Sequence, residues 1–166
     1  MTVAVAILLF VTAQRIGELI HSRRNTKRLL ARGGAETGAG HYPLIVLLHA
    51  SWLAGLWLLA WDRTPHWGWL AVYGALQALR VWTLASLGSR WTTRIIIVPG
   101  EPLVRRGPYR FLSHPNYVVV VGEIAVLPLV FGLSTYALVF SILNALVLWI
   151  RIRHENRALA EGSGRA

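Results

Sequence analysis

Five long apolar stretches divide this chain of 166 residues and constrain its fold more than anything else in it. A membrane span takes roughly 20 mostly apolar residues. Three candidates come first, at about Thr2 to Ile20, Tyr42 to Trp61 and Trp67 to Leu87. Two more, Tyr117 to Gly132 and Thr135 to Ile150, are parted only by Gly-Leu-Ser, a tight turn between antiparallel helices. The chain therefore reads as an all-α integral membrane protein with about five transmembrane helices. Its hydrophobic fraction of 55% and charged fraction of 14% lie outside the range of ordinary soluble domains. The first stretch is not expected to be a cleaved signal peptide: it has no basic start and carries Arg15 and Glu18. A single domain is expected over 1–166, with a three-helix part at 1–87 and a loop, hairpin and tail at 88–166.

The basic residues fix an expected orientation. Arg23, Arg24, Lys27, Arg28 and Arg32 follow the first helix. Arg90, Arg94, Arg105, Arg106 and Arg110 lie between the third and fourth, and Arg153, Arg157 and Arg165 follow the fifth. With five spans all three groups share one face, which the positive-inside rule makes cytoplasmic, leaving the N-terminus outside and the C-terminus in the cytoplasm of a multi-pass cell-membrane protein. The net charge of +10 is then topological, and contact with anionic membrane lipids replaces nucleic acid as the expected partner. Most of the eight tryptophans read as interface anchors or lipid-facing bulk. With no cysteine, disulfides and thiolate chemistry are excluded. The histidines His41, His49 and His66 are scattered, so no metal site is expected.

Ionisable residues inside apolar helices are functional candidates, because each must face protein or water. Gln14, Glu18, His21 and Asn25 form one stripe on the first helix, with Arg15 three residues before Glu18. Ser141, Asn144, Leu148, Arg151 and Glu155 form an inward stripe on the fifth. Arg151 and Glu155 can pair with each other, or can meet a ligand carrying both an amine and a carboxylate. Glu123, with Asn116 on the same face, is either protonated, paired with a base such as Arg80, or lining a cavity.

Between the third and fourth stretches stands Arg105-Arg-Gly-Pro-Tyr-Arg-Phe-Leu-Ser-His-Pro-Asn-Tyr117. Gly107-Pro108 forces a turn, and Pro115 holds His114 extended while suiting the first turn of a helix. Tyr109, His114 and Tyr117 add flat rings beside the membrane surface, and Arg110 adds charge. The free N–H groups of the fourth helix offer a carboxylate site. This run reads as a ligand-binding loop on the cytoplasmic face. Glycine-rich nucleotide loops are absent, and Ser113-His114 has no acid partner for a triad.

Gly107-Pro-Tyr-Arg through His114-Pro-Asn-Tyr117, two apolar helices, and then Arg151-Ile-Arg-His-Glu155-Asn-Arg-Ala-Leu159 resemble the isoprenylcysteine carboxyl methyltransferase family. Gln14-Arg-Ile-Gly-Glu18-Leu, Ser22-Arg-Arg-Asn25, Ala31-Arg-Gly-Gly, His41-Tyr-Pro43, Leu87-Gly-Ser-Arg-Trp91 and Val98-Pro-Gly100 are similar to a bacterial branch of it, so the resemblance covers nearly the whole chain. It implies S-adenosyl-L-methionine as cofactor, held by Gly107, Pro108, Tyr109, His114, Pro115, Tyr117, Arg151 and Glu155. Two departures stand out: Ser113 where relatives have arginine before His-Pro, and Glu155-Asn156 where they have two acids. Either Arg110 or Arg151 compensates for the first, or the substrate makes different demands.

Methyl transfer from a sulfonium is an in-line displacement that needs alignment and exclusion of water more than a strong base. Glu123, Arg110 and Arg151 are the candidate catalytic groups, and Asn116, Glu123, Asn144 and Glu18 the candidate acceptor contacts. The resemblance implies O-methylation of an amphipathic, lipid-like acceptor: first a polyketide hydroxyl, as in alkylpyrones and phenolic lipids, second a prenylcysteine carboxylate. A phospholipid N-methyltransferase, an NADPH-dependent sterol-reductase-like enzyme and a non-catalytic membrane scaffold are the alternatives.

Overall fold

A computed structural model describes the backbone of residues 2–163 and the side chains of 2–155; the side chains of Asn156, Arg157 and Arg165 lie outside the described residues. The chain is mostly helical, in the order α1 (Val3–Ala31), β1 (Ala35–Thr37), α2 (Tyr42–Ala60), α3 (Trp67–Leu87), β2 (Ile95–Ile97), α4 (Pro115–Val130) and α5 (Ser134–Ser163). Short 3-10 turns stand at Ala39–His41, Gly88–Arg90 and Gly107–Arg110. In lipid every backbone polar group must be bonded within the protein, and helices achieve this segment by segment. Four helices, all but α4, are long and apolar enough to cross a membrane. The remaining one, α4, has 16 residues.

Two helices outrun the apolar stretches that predict them. A 29-residue helix is about 43 Å long, against a hydrocarbon core of roughly 30 Å, so α1 must project beyond the core. Its extra turns keep one buried stripe, Ser22, Asn25 and Leu29, which docks on the loop after α3. Between α4 and α5 the expected tight turn is a Schellman cap. Leu133 N–H donates to the Pro128 carbonyl and Gly132 N–H to that of Leu129, with Gly132 at φ 70°.

The expectation of helices alone needs one correction. Ala35–Thr37 and Ile95–Ile97 form a two-stranded antiparallel ribbon, with Ala35 opposite Ile97 and Thr37 opposite Ile95. Three successive β-branched residues favour extended backbone, and Gly34 lets the partner come close, since a Cβ there would meet the Leu29 carbonyl and the Ile96 side chain. The ribbon ties the α1–α2 connection to the α3–α4 connection.

The apolar core, including Leu8, Trp52, Leu56, Ile124, Leu127 and Phe131, packs α1, α2 and α4 together away from that ribbon. Leu47, Leu58, Val81, Leu138 and Leu146 point outward, a surface suited to lipid. Five tryptophans, at 61, 67, 69, 82 and 149, are also exposed, as anchors should be. Trp52 and Trp91 are not: both are buried and line an internal cavity, which corrects the lipid-facing reading for these two.

Candidate functional site

The turn at Gly107–Arg110 is pinned to α3. Gly107 sits at φ 57°, and a Cβ there would run into the Ser86 hydroxyl and the Trp82 indole. Arg106 Nε donates to the Ser86 carbonyl at 2.8 Å. Glycine is thus required twice over, by conformation and by space. The chain then extends through His114 and enters α4 at Pro115, its first residue. The N–H groups of Tyr117 and Val118 turn back to the His114 carbonyl, so these two do not serve as the open anion site that the sequence predicts.

One turn into α4, Tyr117 meets α5. Its hydroxyl donates to Glu155 Oε2 and accepts from Arg151 Nε at 2.8 Å. Arg151 Nη1 donates to the Thr93 carbonyl at 2.9 Å. The His114 ring stacks on Tyr117 with centroids 5.1 Å apart, and His114 Nδ1 lies 3.8 Å from Glu155 Oε2. Arg151 and Glu155, spaced to pair directly, are instead bridged by this phenol. His114 and Glu155 each stay about one-quarter exposed, so the cluster is open to a ligand. Tyr109 stands near enough for burial, aided by the charge of Glu155, to hold its hydroxyl protonated well above the usual phenol range.

Tyr117 and Arg151 also line a cavity of about 310 Å³, open between α1, α2, α4 and α5. Its wall is largely apolar, with Ile16, Leu19, Ile45, Val46, Leu53 and Val120. Polar groups enter beside Tyr117: Asn116 Oδ1 and Trp91 Nε1 belong to lining residues and are buried with no partner in the protein.

Deeper in the bundle lies a second charged group. Glu123 is fully buried and accepts from Arg80 through Nε at 2.6 Å and through Nη2, from Arg15 Nη2 at 2.6 Å and from Gln77 at 2.7 Å. Glu18 accepts from Arg80 Nη1 at 2.9 Å, from Arg15 at 3.0 Å and from Gln14 at 3.1 Å. Two carboxylates and two guanidiniums thus balance across α1, α3 and α4. Of the alternatives the sequence leaves open for Glu123, the structure has the ion pair.

The structure brings Tyr117, His114, Arg151 and Glu155 together, with Asn116 beside them. Arg110 is not brought in: it is exposed, with its guanidinium over the neighbouring Phe111 ring at 5.9 Å. Glu18 lines the cavity while Glu123 does not, and Asn144 is buried one turn from the cavity-lining Leu148. Thr93, Trp91 and His41 were not legible as site residues. His41 is buried and stacks on His154 at 5.0 Å, bringing the connection before α2 against α5. Trp91 ends the Leu87-Gly-Ser-Arg-Trp91 run and His41 opens His41-Tyr-Pro43, but neither run marks a site by itself, and Thr93 lies in no motif.

Residues 69–161, from within α3 into α5, match the model of the Isoprenylcysteine carboxyl methyltransferase (ICMT) family. The chain is also similar, at 40% identity over 155 residues covering 90% of it and 92% of the relative, to the uncharacterized protein YpbQ of Bacillus subtilis. An uncharacterized protein of Haemophilus influenzae is 27% identical over 157 residues, covering 90% of this chain and 91% of its own length. No solved structure matches the chain. The matched segment contains His114, Tyr117, Arg151 and Glu155, and four helices of the fold are long and apolar enough for lipid. This chain belongs to the isoprenylcysteine carboxyl methyltransferase family of membrane methyltransferases.

Proposed function

We propose that the protein methylates an oxygen of an amphipathic, lipid-like acceptor, using S-adenosyl-L-methionine bound at the Tyr117 cluster. The observation that carries this reading is the sharing of Tyr117 and Arg151 between an open polar cluster and an apolar cavity. A soluble, charged donor and a greasy acceptor need adjoining sites of these two kinds. In this reading α4 serves as a fifth, short span beside the four longer helices, and the basic residues after α1, before α4 and on α5 then favour an N-terminus outside and the cluster at the cytoplasmic face of the cell membrane.

The residues present suit the cofactor. Glu155 offers a carboxylate to an amine, Arg151 a guanidinium to a carboxylate, and the His114 and Tyr117 rings flat faces for a base or a cation. The buried, unpartnered Asn116 Oδ1 and Trp91 Nε1 are polar atoms still owed a hydrogen bond. When bound, the cofactor supplies an electrophilic methyl group on a sulfonium. The protein's part is to position and to exclude water. Tyr117, held by Glu155 on one side and Arg151 on the other, cannot rotate away, so the ring against which His114 stacks is fixed. Arg151 is fixed in turn by the Thr93 carbonyl. Apolar walls keep water from the acceptor oxygen. An acidic enol or carboxylate acceptor is already ionised near neutral pH and calls for no strong general base. Glu123, with every acceptor position of its carboxylate filled, is read as holding the bundle rather than moving a proton. A polyketide hydroxyl, as in alkylpyrones and phenolic lipids, is the first acceptor class and a prenylcysteine carboxylate the second.

The test is transfer of label from methyl-labelled S-adenosylmethionine by purified protein to a long-chain alkylpyrone, a farnesylcysteine derivative or phosphatidylethanolamine. Label on oxygen of either of the first two supports the reading. Label only on the phospholipid nitrogen, or on none, would replace it.

A further inference from the structure

The cluster around Tyr117 accounts for the polar groups at one end of the cavity; those at the other end have no role in it. His49 lines the cavity seven residues beyond Tyr42, whose hydroxyl meets Thr93 at the first end, and seven residues of helix span about 10 Å. His49 Nδ1 lies 2.8 Å from the Ile45 carbonyl. A carbonyl only accepts, so in the neutral ring Nδ1 carries the proton and Nε2 is a bare acceptor. Arg15 and Trp52 line the cavity as well. Arg15 gives its terminal nitrogens to Glu18 and Glu123, whereas its Nε has no partner. Trp52 is 1% exposed, and its indole N–H is likewise unpartnered. A buried donor left without an acceptor is costly, so two of them on residues lining one cavity call for a reason.

One bare acceptor and two unpaired donors on residues lining the same cavity complement a group that both donates and accepts. A hydroxyl is the smallest that does. A carboxylate has no donor to give His49, an ammonium has no acceptor for the N–H groups, and a methylene satisfies neither. We infer that this end of the cavity binds a hydroxyl carried on the apolar body of the acceptor, about 10 Å from the Tyr117 end, with His49 as the specificity-determining contact. The inference rests on the proposed function and narrows it: the acceptor is a hydroxylated amphiphile, not a bare hydrocarbon tail.

The test uses two long-chain alkylphenols of equal length, one plain and one with a hydroxyl on the chain carbon about 10 Å from the phenol oxygen. Each is titrated calorimetrically, without methyl donor, into the detergent-purified wild type, His49→Phe, His49→Gln and Trp52→Phe. The hydroxylated ligand should bind the wild type about three- to tenfold more tightly, as one neutral hydrogen bond allows. That preference should vanish in His49→Phe, return in part in His49→Gln, whose amide oxygen accepts, and shrink in Trp52→Phe, which keeps the ring and loses the donor. Equal binding of the two ligands by the wild type, no binding of either, or a preference that survives both His49→Phe and Trp52→Phe would overturn it. Methyl transfer is measured separately: a preference without transfer sinks the proposed reaction and leaves this site, and transfer without a preference does the reverse.

Discussion

The protein uses carboxylates and guanidiniums twice, to opposite ends. Around Glu123 two acids, two arginines and two glutamines bond one another inside the bundle, and the innermost acid is wholly shielded, with both of its oxygens accepting twice. Around Tyr117 one acid and one arginine meet only through a phenol, and His114 and Glu155 remain partly open. The Glu123 carboxylate has nothing left to offer a ligand, whereas the groups around Tyr117 do. The difference teaches that the burial of an ionisable group in a membrane helix marks importance, while unfilled hydrogen-bonding capacity marks a site.

The largest effect should come from opening the set around Glu123. Glu123→Leu strips the partner from Arg80 Nε and Nη2 and from Arg15 Nη2, leaving Glu18 alone to face two buried guanidiniums, and should cost about 3–5 kcal/mol, seen as a fall in Tm in detergent, while Arg80→Met with Glu123→Leu restores much of it. A double variant no more stable than the single would show that the two are not a unit. Next, Gly107→Ala places a side chain in a left-handed position against Ser86 and Trp82. A loss of about 1–3 kcal/mol is expected, with weaker cofactor binding as the turn shifts; unchanged binding would separate the turn from the open cluster. Tyr117→Phe sharpens the contrast further. Removing one hydroxyl should lower stability by only about 1 kcal/mol yet weaken S-adenosylmethionine binding about tenfold, because Glu155 and Arg151 lose their common partner. Equal effects on both would make this cluster structural too. Smallest is Arg94→Gln, which breaks the half-exposed pair with Glu36 on the ribbon and should shift stability by less than about 1 kcal/mol.

How much of this was legible depended on range. Stripes one helix carries by itself could be read: Ser141, Asn144, Leu148, Arg151 and Glu155 do run down the inward side of α5. Spacing along a helix misled where another helix intervened. Arg15 sits three residues before Glu18 and does pair with it, but its second partner, Glu123, lies 108 residues away. Arg151 and Glu155 are one turn apart and are nonetheless joined through Tyr117 from α4. The ribbon of Ala35–Thr37 with Ile95–Ile97 joins two loops far apart in sequence, and no local pattern announces such a pairing. His49 was legible only as a lone histidine in an apolar helix; its meaning comes from the cavity that opens between α1, α2, α4 and α5.

Cofactor binding at the Tyr117 cluster is tested most directly by calorimetric titration of the detergent-purified protein with S-adenosylmethionine, comparing wild type with Glu155→Gln and recording the Tm of both. The wild type should bind, and the variant at least about tenfold more weakly, as a charge-assisted contact implies, at nearly equal Tm. Absence of binding by the wild type, or binding that Glu155→Gln leaves untouched, would contradict binding at this cluster.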